Sequence, residues 1–393
     1  MLSSRELLSK LRLSHTTVLR GTYHNFSTSS VLRLNRAIVY ESFGDPTSIL
    51  SATTYPDLPP PPSNSLNVKF TLSPINPADL NVIENKYHSK PSPVESLVEG
   101  RHKFEKPHYV GGNEGLAVIT DVGTRVSGYK PGDRVVVTKP QAGTWASART
   151  LKAEDVLKVP AALSDVNAAT ITVNPPTAYN MLHGVVDLKP GEFVMQNGAN
   201  SAVGQTVIQI AARKGIQTLN FIRDRPDLDA TKEYLQSLGA THVFTYEDLK
   251  NKERVKEIES LVPKGTRLML NCVSGEATKD MARFLSQKAT VVSYGAMSMQ
   301  PLIMPTGLFI FGELICRGFW QSKWYADHTK EEREKLMQTL SDFKLREPEH
   351  EILTLESLDS DDVVGSKVRS VISKMRQGRY GKKVLLKFEE PRA

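Results

Sequence analysis

The hydrophobic positions follow two different rhythms along the chain, and the change comes near residue 174. Before it, short runs rich in β-branched and aromatic residues are separated by proline and glycine turns, such as Lys130-Pro131-Gly132-Asp133. These runs predict strands at 37–40, 67–72, 116–121 and 134–138. The pattern is typical of a compact, β-rich domain.

After residue 174, strand-like runs alternate with helical ones. A strand is predicted at 193–196, followed by a helix at 201–214 whose apolar residues share one face: Val203, Val207, Ile210 and Ala211. Further strands are predicted at 218–222, 242–245, 267–271, 290–293 and 314–317. This alternation predicts a doubly wound parallel sheet with helices on both faces, so the expected fold class is α/β with a Rossmann domain.

The C-terminal part mixes the two rhythms, with a strand near Ile352, a helix at 360–376 and a strand at 384–388. We expect it to complete the first domain. The predicted organisation is therefore a separate N-terminal segment at 1–34, a β-rich domain formed by 35–175 and 325–393, and a Rossmann domain at 176–324.

The composition excludes several classes of protein. Of the 393 residues, 39% are hydrophobic, and the longest apolar run, at 308–316, is short and contains Glu313, so no membrane-spanning helix is expected. The two cysteines, Cys272 and Cys316, cannot form a disulfide framework or a multi-cysteine zinc module. Both are expected to be reduced and buried.

The net charge of +7 is concentrated at the N terminus. Residues 1–36 carry six basic side chains and one acidic side chain, which leaves only +2 for the rest of the chain. The segment is also rich in serine and leucine and can form an amphipathic helix, as mitochondrial transit peptides do. We therefore expect a targeting segment at 1–34 with cleavage near residues 20–34. A disordered basic tail is the alternative.

The turn after the first Rossmann strand, Gln196 to Gln205, is the expected position of a dinucleotide pyrophosphate, because it leads into a helix N-terminus. Measured back from Gly204, the glycine fingerprint would require glycine at 199, 201 and 204, and only the last is present. The candidate cofactor contacts in this loop are Asn200, Ser201, Ala202 and Val203. A tight turn that binds no ligand is the alternative.

The end of the second Rossmann strand indicates which dinucleotide is preferred. It reads Arg223-Asp224-Arg225. A 2′-phosphate is bound by arginine, whereas enzymes that prefer NAD usually have an acidic residue here, so the two guanidinium groups favour NADPH. Asp224 has three open interpretations: contact with the ribose, pairing with a neighbouring arginine, or capping of the next helix. A solvated charge cluster is the alternative for the whole group.

Several motifs, in order along the chain, resemble the zinc-free medium-chain dehydrogenase/reductase superfamily. The closest resemblance is to its mitochondrial trans-2-enoyl thioester reductases, in the quinone-oxidoreductase-like branch, and it covers essentially the whole chain after the N-terminal segment. The motifs are Ile75 to Asn81 with Tyr87, Val173 to Tyr179, Gln196 to Gln205, Arg223 to Pro226, Leu270 to Val273, Ser293 to Met297 and Arg317 to Trp320. The resemblance implies that the β-rich part is a chaperonin-10-like catalytic domain, separated from the Rossmann domain by a cleft.

The same resemblance implies roles for individual residues. Tyr87 would donate a proton to the substrate, directly or through water, with a packed side chain as the alternative. Asn174 would orient the substrate or the nicotinamide, although it could merely cap the junction turn. Trp320 would wall the acyl cleft, and Lys383 is an alternative to Lys382 near the C terminus. The remaining implied cofactor contacts, with ordinary packing as their alternative, are Tyr294, Gly295, Ala296, Met297, Phe319, Trp320, Gln321 and Lys382.

No metal is expected. The zinc-dependent members of the superfamily bind catalytic zinc through cysteine and through the histidine of a Gly-His-Glu stretch. Here the matching stretch is Gly111-Gly112-Asn113-Glu114-Gly115, and the other histidines lack metal-site spacing. The substrate carbonyl must then be activated by hydrogen bonding, and the proton must come from a side chain or from water.

The implied function is the NADPH-dependent reduction of trans-2-enoyl thioesters in type II fatty acid synthesis in the mitochondrial matrix. Hydride would reach Cβ and a proton Cα of a substrate carried on acyl carrier protein, and the enzyme would be a homodimer associating through the late Rossmann strands. A zinc-free NADPH quinone oxidoreductase is one alternative. A dinucleotide-binding protein that binds nucleic acid is another, but the body charge of +2 and the lack of a nucleic-acid-binding motif argue against it.

Overall fold

The structure is a computed structural model, and it describes residues 34–99, 101–377 and 382–391. The predicted targeting segment, 1–34, lies outside these ranges except for Leu34, which is the first residue of the first strand. That prediction is therefore untested by the fold.

Strands and helices alternate in the second part of the chain, from residue 193 onward, as the sequence predicts. The strands are β1 (Leu34–Tyr40), β2 (Ser51–Pro56), β3 (Ser65–Pro74), β4 (Tyr109–Val110), β5 (Leu116–Val122), β6 (Arg134–Val137), β7 (Ala148–Lys152), β8 (Val156–Lys158), β9 (Phe193–Asn197), β10 (Gln217–Ile222), β11 (His242–Thr245), β12 (Thr266–Asn271), β13 (Leu285–Ser293), β14 (Ile315–Gly318), β15 (His350–Leu355) and β16 (Lys383–Phe388). The helices are α1 (Pro46–Ile49), α2 (Pro77–Ile83), α3 (Asp165–Ala169), α4 (Asn174–His183), α5 (Ala202–Arg213), α6 (Leu228–Ser237), α7 (Lys252–Leu261), α8 (Glu276–Met281), α9 (Thr306–Ile310), α10 (Gln321–Asp327), α11 (Lys330–Asp342) and α12 (Asp361–Arg376).

Six strands form a parallel sheet in the order β11-β10-β9-β12-β13-β14. This is the doubly wound order, with the chain starting in the middle at β9 and winding outwards in both directions. Both faces are buried: neighbouring residues Val194 and Met195 of β9 belong to different hydrophobic clusters, because successive side chains of a strand point to opposite faces. The predicted α/β fold with a Rossmann sheet is confirmed.

A second, mostly antiparallel sheet has the order β15-β16-β3-β5-β6-β8, with β7 also paired to β3. Two of its strands, β15 and β16, come from the C-terminal part of the chain. β16 runs antiparallel to β3, with Leu386 opposite Ser73. Helix α12 covers this region with a buried face that includes Val364, Val368 and Ile372. The chain thus leaves this sheet to build the Rossmann sheet and then returns. The exact domain boundaries stay predictions.

One edge of the Rossmann sheet differs from expectation. All four residues of β14 are exposed, because β14 is the last strand of the sheet and no other described residue pairs with its outer side. Cys272 is buried as predicted, but Cys316 lies on β14 and is exposed, so its predicted burial is wrong. In the described ranges, no helix is both long enough and apolar enough to cross a bilayer.

Candidate active site

The loop after β9 is shaped by two glycines. Gly198 has a φ of +60°, and a Cβ at this position would lie 2.6 Å from the Cys272 Sγ. A Cβ at Gly204 would lie 2.5 Å from the carbonyl oxygen of Ala199. Glycine is therefore required at 198 and 204, and the left-handed turn comes one residue earlier than the fingerprint spacing predicts.

The loop delivers the chain into the N-terminus of α5. Ser201 caps the helix, and its Oγ accepts a hydrogen bond from the Gly204 N–H at 3.2 Å. The first N–H groups of a helix have no partner within it, and the helix dipole favours an anion at that end. Ala202 and Val203 supply the first two of these N–H groups. The arrangement is chemically suited to a pyrophosphate.

Two tyrosines support the loop. The Tyr246 hydroxyl accepts a hydrogen bond from the Gly198 N–H at 3.0 Å, and burial raises the pKa of Tyr246 to about 12. The Tyr294 hydroxyl is buried beside Cys272 and Ser201, and burial raises its pKa. Both phenols therefore stay protonated and keep a hydrogen to donate. Tyr294 was predicted here, whereas Tyr246 was missed, although its position just after β11 marks it as part of the same sheet edge.

At the end of β10 the two arginines differ. Arg225 Nε pairs with Asp227 Oδ1 at 2.6 Å, whereas Arg223 is exposed and forms no hydrogen bond or ion pair with any described residue. Asp224 Oδ1 accepts a hydrogen bond from the Arg225 N–H at 2.9 Å, which closes a local turn. Of the two guanidinium groups, that of Arg223 is thus the one left without a protein partner.

Tyr87 and Trp320 are far apart in the sequence but in direct contact in the structure. The Trp320 Nε1–H donates a hydrogen bond to the Tyr87 hydroxyl at 2.9 Å, and the two rings meet edge to face, with centroids 6.1 Å apart. Burial raises the pKa of Tyr87, although hydrogen bonds from Trp320 and Ser322 oppose the shift. The hydroxyl therefore accepts from Trp320 and remains protonated at neutral pH, which leaves its own proton available for donation.

The loop that carries Tyr87 follows directly after α2. Asn85, with a φ of +60°, ends the helix, and the Tyr87 N–H donates to the Asn81 carbonyl oxygen at 3.2 Å. Pro77 at the start of α2 favours a helix beginning there. Tyr87 is therefore fixed relative to α2 through its backbone.

A buried polar cluster lies next to α2. Asn76 Nδ2 donates to Glu114 Oε1 at 2.7 Å, and the Lys383 Nζ donates to Asn76 Oδ1 while lying 3.9 Å from Glu114. Burial raises the pKa of Asp79 to about 7, raises that of Glu114 and lowers that of Lys383. Lys382 is exposed, so Lys383 is the lysine that reaches the interior. Sequence reasoning missed this cluster, since its members lie on separate segments.

The remaining predicted site residues lie at the start of α4 and in the segments after β13 and β14. Asn174 is the first residue of α4, and its side chain caps no turn in the described ranges. The Phe319 N–H donates to the Ser293 carbonyl oxygen at 2.9 Å, which holds the segment after β14 beside that after β13. Gln321 is buried, and its Oε1 accepts from Asn180 Nδ2 at 3.1 Å.

The segment after β13 curls back over β12. The Tyr294 N–H donates to the Asn271 carbonyl oxygen at 2.9 Å, and the Met297 N–H donates to the Cys272 carbonyl oxygen at 2.8 Å. Gly295 packs against Cys272, whereas Ala296 and Met297 are exposed. The segment is thus anchored to β12 by its backbone while its last residues are open to solvent.

Asn113 occupies the position that matches the zinc-ligand histidine of the zinc-dependent dehydrogenases. Asn113 Nδ2 donates to Asp79 Oδ1 at 2.5 Å, and Asn113 Oδ1 accepts from the Gln141 N–H at 2.7 Å. Within the described part of the chain, no three histidine, cysteine or acidic side chains are grouped so that they could hold a metal ion. Both ends of the Asn113 amide are thus used in hydrogen bonds to the protein.

Comparisons with known proteins agree with this architecture. Residues 62–161 match the family model of the alcohol dehydrogenase GroES-like domain, and residues 202–342 match that of the zinc-binding dehydrogenases. The mitochondrial enoyl-[acyl-carrier-protein] reductase of Homo sapiens is 40% identical over 318 residues, which cover 81% of each chain.

Two solved structures are similar over 90% of this chain and 99% of theirs, each with a TM-score of 0.81 and 30% identity. One is the complex of Etr1p with NADP and crotonyl-CoA. The other is the mitochondrial 2-enoyl thioester reductase Etr1p/Etr2p heterodimer from Candida tropicalis.

Proposed function

Because the chain belongs to the mitochondrial enoyl-[acyl-carrier-protein] reductase family, we propose that it catalyses the NADPH-dependent reduction of trans-2-enoyl thioesters to acyl thioesters. The observation that carries the proposal is the Tyr87 hydroxyl, which accepts a hydrogen bond from Trp320 at the edge of a nucleotide-binding sheet and keeps its own proton. A buried phenol in that state is suited to protonate a carbanionic centre.

In this reaction, NADPH supplies a hydride to Cβ of the enoyl thioester. The resulting enolate gains its proton at Cα from Tyr87, whose O–H bond breaks as the Cα–H bond forms. Trp320 fixes the orientation of the phenol through its Nε1–H, so that the phenolic proton points away from the indole. The same N–H then stabilises the phenolate until water returns a proton to it.

The residues that would hold NADPH are those of the loop after β9 and the end of β10. The N-terminus of α5, with Ala202 and Val203, would bind the pyrophosphate, and the Ser201 hydroxyl can donate to it while capping the helix. Arg223 would bind the 2′-phosphate, with a smaller contribution from Arg225, which is already paired to Asp227. This charge favours NADPH over NADH.

The reaction class is tested by NADPH oxidation with crotonyl, hexenoyl and decenoyl thioesters beside a panel of quinones. We expect turnover that depends on the thioester and weak or no turnover with quinones. Turnover with quinones alone would instead support the quinone oxidoreductase alternative. Salt-sensitive retention on nucleic acid, without reductase activity, would favour the nucleic-acid alternative.

The substrate is proposed to be carried on acyl carrier protein in the mitochondrial matrix. The support is the mitochondrial family name of the relatives and the basic, serine-rich segment at 1–34. Deleting residues 1–34 should abolish import into isolated mitochondria while the purified protein keeps its activity. Import of the shortened chain at normal efficiency would refute the targeting proposal.

We further propose that the protein is a homodimer associating through β14. Among the described residues, none pairs with the outer edge of β14, and nearby α9 and the residue after it expose Ile310 and Phe311. Exposed apolar edge strands are normally covered, and a second copy is the occupant favoured by the heterodimer of the similar structure.

The dimer is tested by the mass in solution and by the reactivity of Cys316. The wild type should have twice the mass of one chain, and its Cys316 should react slowly with a maleimide. The Ile315→Lys variant should be monomeric and should expose Cys316 to rapid alkylation, with buried Cys272 as the internal control. A monomeric wild type would overturn this proposal.

A further inference from the structure

The loop that carries Tyr87 is part of a ring that side-chain hydrogen bonds close. It begins at Asp79 in α2, passes through Asn113 and Gln141, and ends at Ser89, two residues after Tyr87. The main chain from Asp79 to Ser89 closes the ring. Three segments, namely 79–89, Asn113 and Gln141, are thus joined at the loop that carries Tyr87.

The last link of the ring is a double hydrogen bond. Ser89 Oγ donates to Gln141 Oε1 at 2.8 Å, and Gln141 Nε2 donates to the Ser89 carbonyl oxygen at 3.3 Å. Both hydrogen-bonding functions of the Gln141 amide are therefore used on one residue of the Tyr87 loop. Such a pair fixes the direction of the loop as well as its distance from the protein body.

Gln141 itself is held in an unusual backbone conformation. Its φ is +50°, in the left-handed region that favours glycine, and its N–H donates to Asn113 Oδ1 at 2.7 Å. A residue with a long side chain is kept in this conformation only when its surroundings determine it, which is common near functional sites. The side chain is thereby aimed at Ser89.

The other end of the ring is anchored in the protein interior. Asp79 is only 2% exposed, and its two carboxylate oxygens accept from Asn113 Nδ2 and from the Asn76 N–H. The Asn113 amide is oriented by this contact, so its Oδ1 must face Gln141. The order of the ring is therefore fixed from the buried carboxylate outwards.

From this geometry we propose that Gln141 is a positioning residue for the Tyr87 hydroxyl, acting through Ser89 and held in place by Asn113 and Asp79. The inference rests on the proposed function, since it assumes that Tyr87 donates the Cα proton. Gln141 does not touch the reacting atoms. It limits the movement of the loop so that the phenol meets Cα in a reactive geometry.

The test uses Gln141→Met, which keeps the length of the side chain but cannot form the double hydrogen bond. With the full chain, NADPH and crotonyl-CoA, kcat should fall about 10-fold while the KM for NADPH stays within about twofold of wild type. Proton transfer should become slower relative to other steps, so the solvent deuterium isotope effect on kcat should increase. A merely structural loss would not change that isotope effect.

The decisive comparison is with Tyr87→Phe. If Gln141 acts through the phenol, adding Gln141→Met to Tyr87→Phe should reduce kcat no further. A full, multiplicative loss in the double variant, or a wild-type kcat in Gln141→Met, would overturn the inference. If Tyr87→Phe alone were fully active, the proton-donor role would fail together with the inference. A slow Tyr87→Phe beside an unimpaired Gln141→Met would overturn only the inference.

Two further variants guard against a folding defect. Ser89→Ala removes the Oγ donor from the other side and should reproduce the isotope effect with a smaller loss of kcat, about 2- to 5-fold. Gln338→Met is the matched control, because Gln338 also donates a side-chain hydrogen bond, to Asp342 on the exposed face of α11. Its kcat and isotope effect should equal those of the wild type, and an equal loss in this control would count against Gln141.

Discussion

The nucleotide loop and the Tyr87 loop are built in different ways. The loop after β9 is continuous in sequence: Gly198, Ser201 and Gly204 lie within seven residues, and the backbone forms most of the site. The Tyr87 loop is held by side chains from distant segments, including Trp320, which is 233 residues away. A local backbone site tolerates sequence change better than an assembled side-chain site, in which each partner depends on the others.

The largest expected effect lies in the assembled site. Tyr87→Phe keeps the ring and most of its packing but removes the hydroxyl, so turnover should fall by about 10²- to 10⁴-fold, as for a positioned general acid. NADPH affinity should scarcely change, since we propose that NADPH is bound by the other loop. Steady-state rates with an enoyl thioester and NADPH titration measure the two quantities. Near wild-type turnover, where chemistry limits the rate, would make Tyr87 only a packing residue.

The next effect concerns the local site. Arg223→Ala together with Arg225→Ala removes the charge-assisted hydrogen bonds that we propose to the 2′-phosphate, so the KM for NADPH should rise by about 10- to 100-fold. The KM for NADH should change little. Of the single variants, Arg223→Ala should be the more severe, since Arg225 is already paired with Asp227. An unchanged ratio of the two Michaelis constants would disprove the assignment of NADPH binding to these arginines.

A smaller effect is expected from Trp320→Phe. The ring still fills most of the space, but the Nε1–H that donates to Tyr87 is lost. One neutral hydrogen bond corresponds to a fall in kcat of about 2- to 13-fold. On a Tyr87→Phe background the same change should cost less, because the acceptor hydroxyl is already absent. Equal costs on both backgrounds would indicate that Trp320 acts only through packing.

The smallest effect is a pH dependence of stability. The pKa of Asp79 is raised to about 7 in the folded protein, so the folded state binds more protons than the unfolded state between the ordinary pKa and that value. Stability from this group therefore falls as pH rises from about 4 to 7 and is level above. Asp79→Asn should remove this part of the slope. The melting temperature of the wild type minus that of the variant should therefore decrease from pH 5 to pH 8. A constant value would contradict the raised pKa of Asp79.

The sequence predicts well those elements that depend on neighbouring residues in the chain. The strand at 242–245 has the observed bounds His242–Thr245, and the helix predicted at 201–214 is observed at Ala202–Arg213. The helix has strong hydrophobic periodicity and a start signal in its N-cap Ser201, whereas the strand is a short run that follows the turn at Gly239. The strand β13 is an instructive failure, because it begins at Leu285, whereas 290 was predicted. Its first part is polar, and Lys288 has a φ of +56°, so periodicity could not reveal it.

The assembled half is predictable only in part. Tyr87 and Trp320 were identified as candidate site residues through the resemblance. The hydrogen bond between them could not be predicted, because nothing in the sequence indicates that these two distant segments are in contact. The same holds for Lys383, since two adjacent lysines are equivalent in sequence and only the register of β16 turns one inward. The burial of Cys316 was mispredicted for a related reason: an apolar run does not reveal whether a strand is central or at an edge.

The second sheet combines strands from the two ends of the chain, and this limits the order in which the chain can fold. β3 needs β16 as its neighbour, and buried Arg36 in β1 pairs with Asp361 at the start of α12. These contacts span more than 300 residues, so loop-closure entropy makes them late. The Rossmann sheet, whose strands follow one another in the chain, can form first. A chain delivered N-terminus first can therefore pair β3 with β5 and β7 early, but the end of β3 near Ser73 lacks its β16 partner until the C-terminal strand arrives, and over that interval this edge needs protection from aggregation.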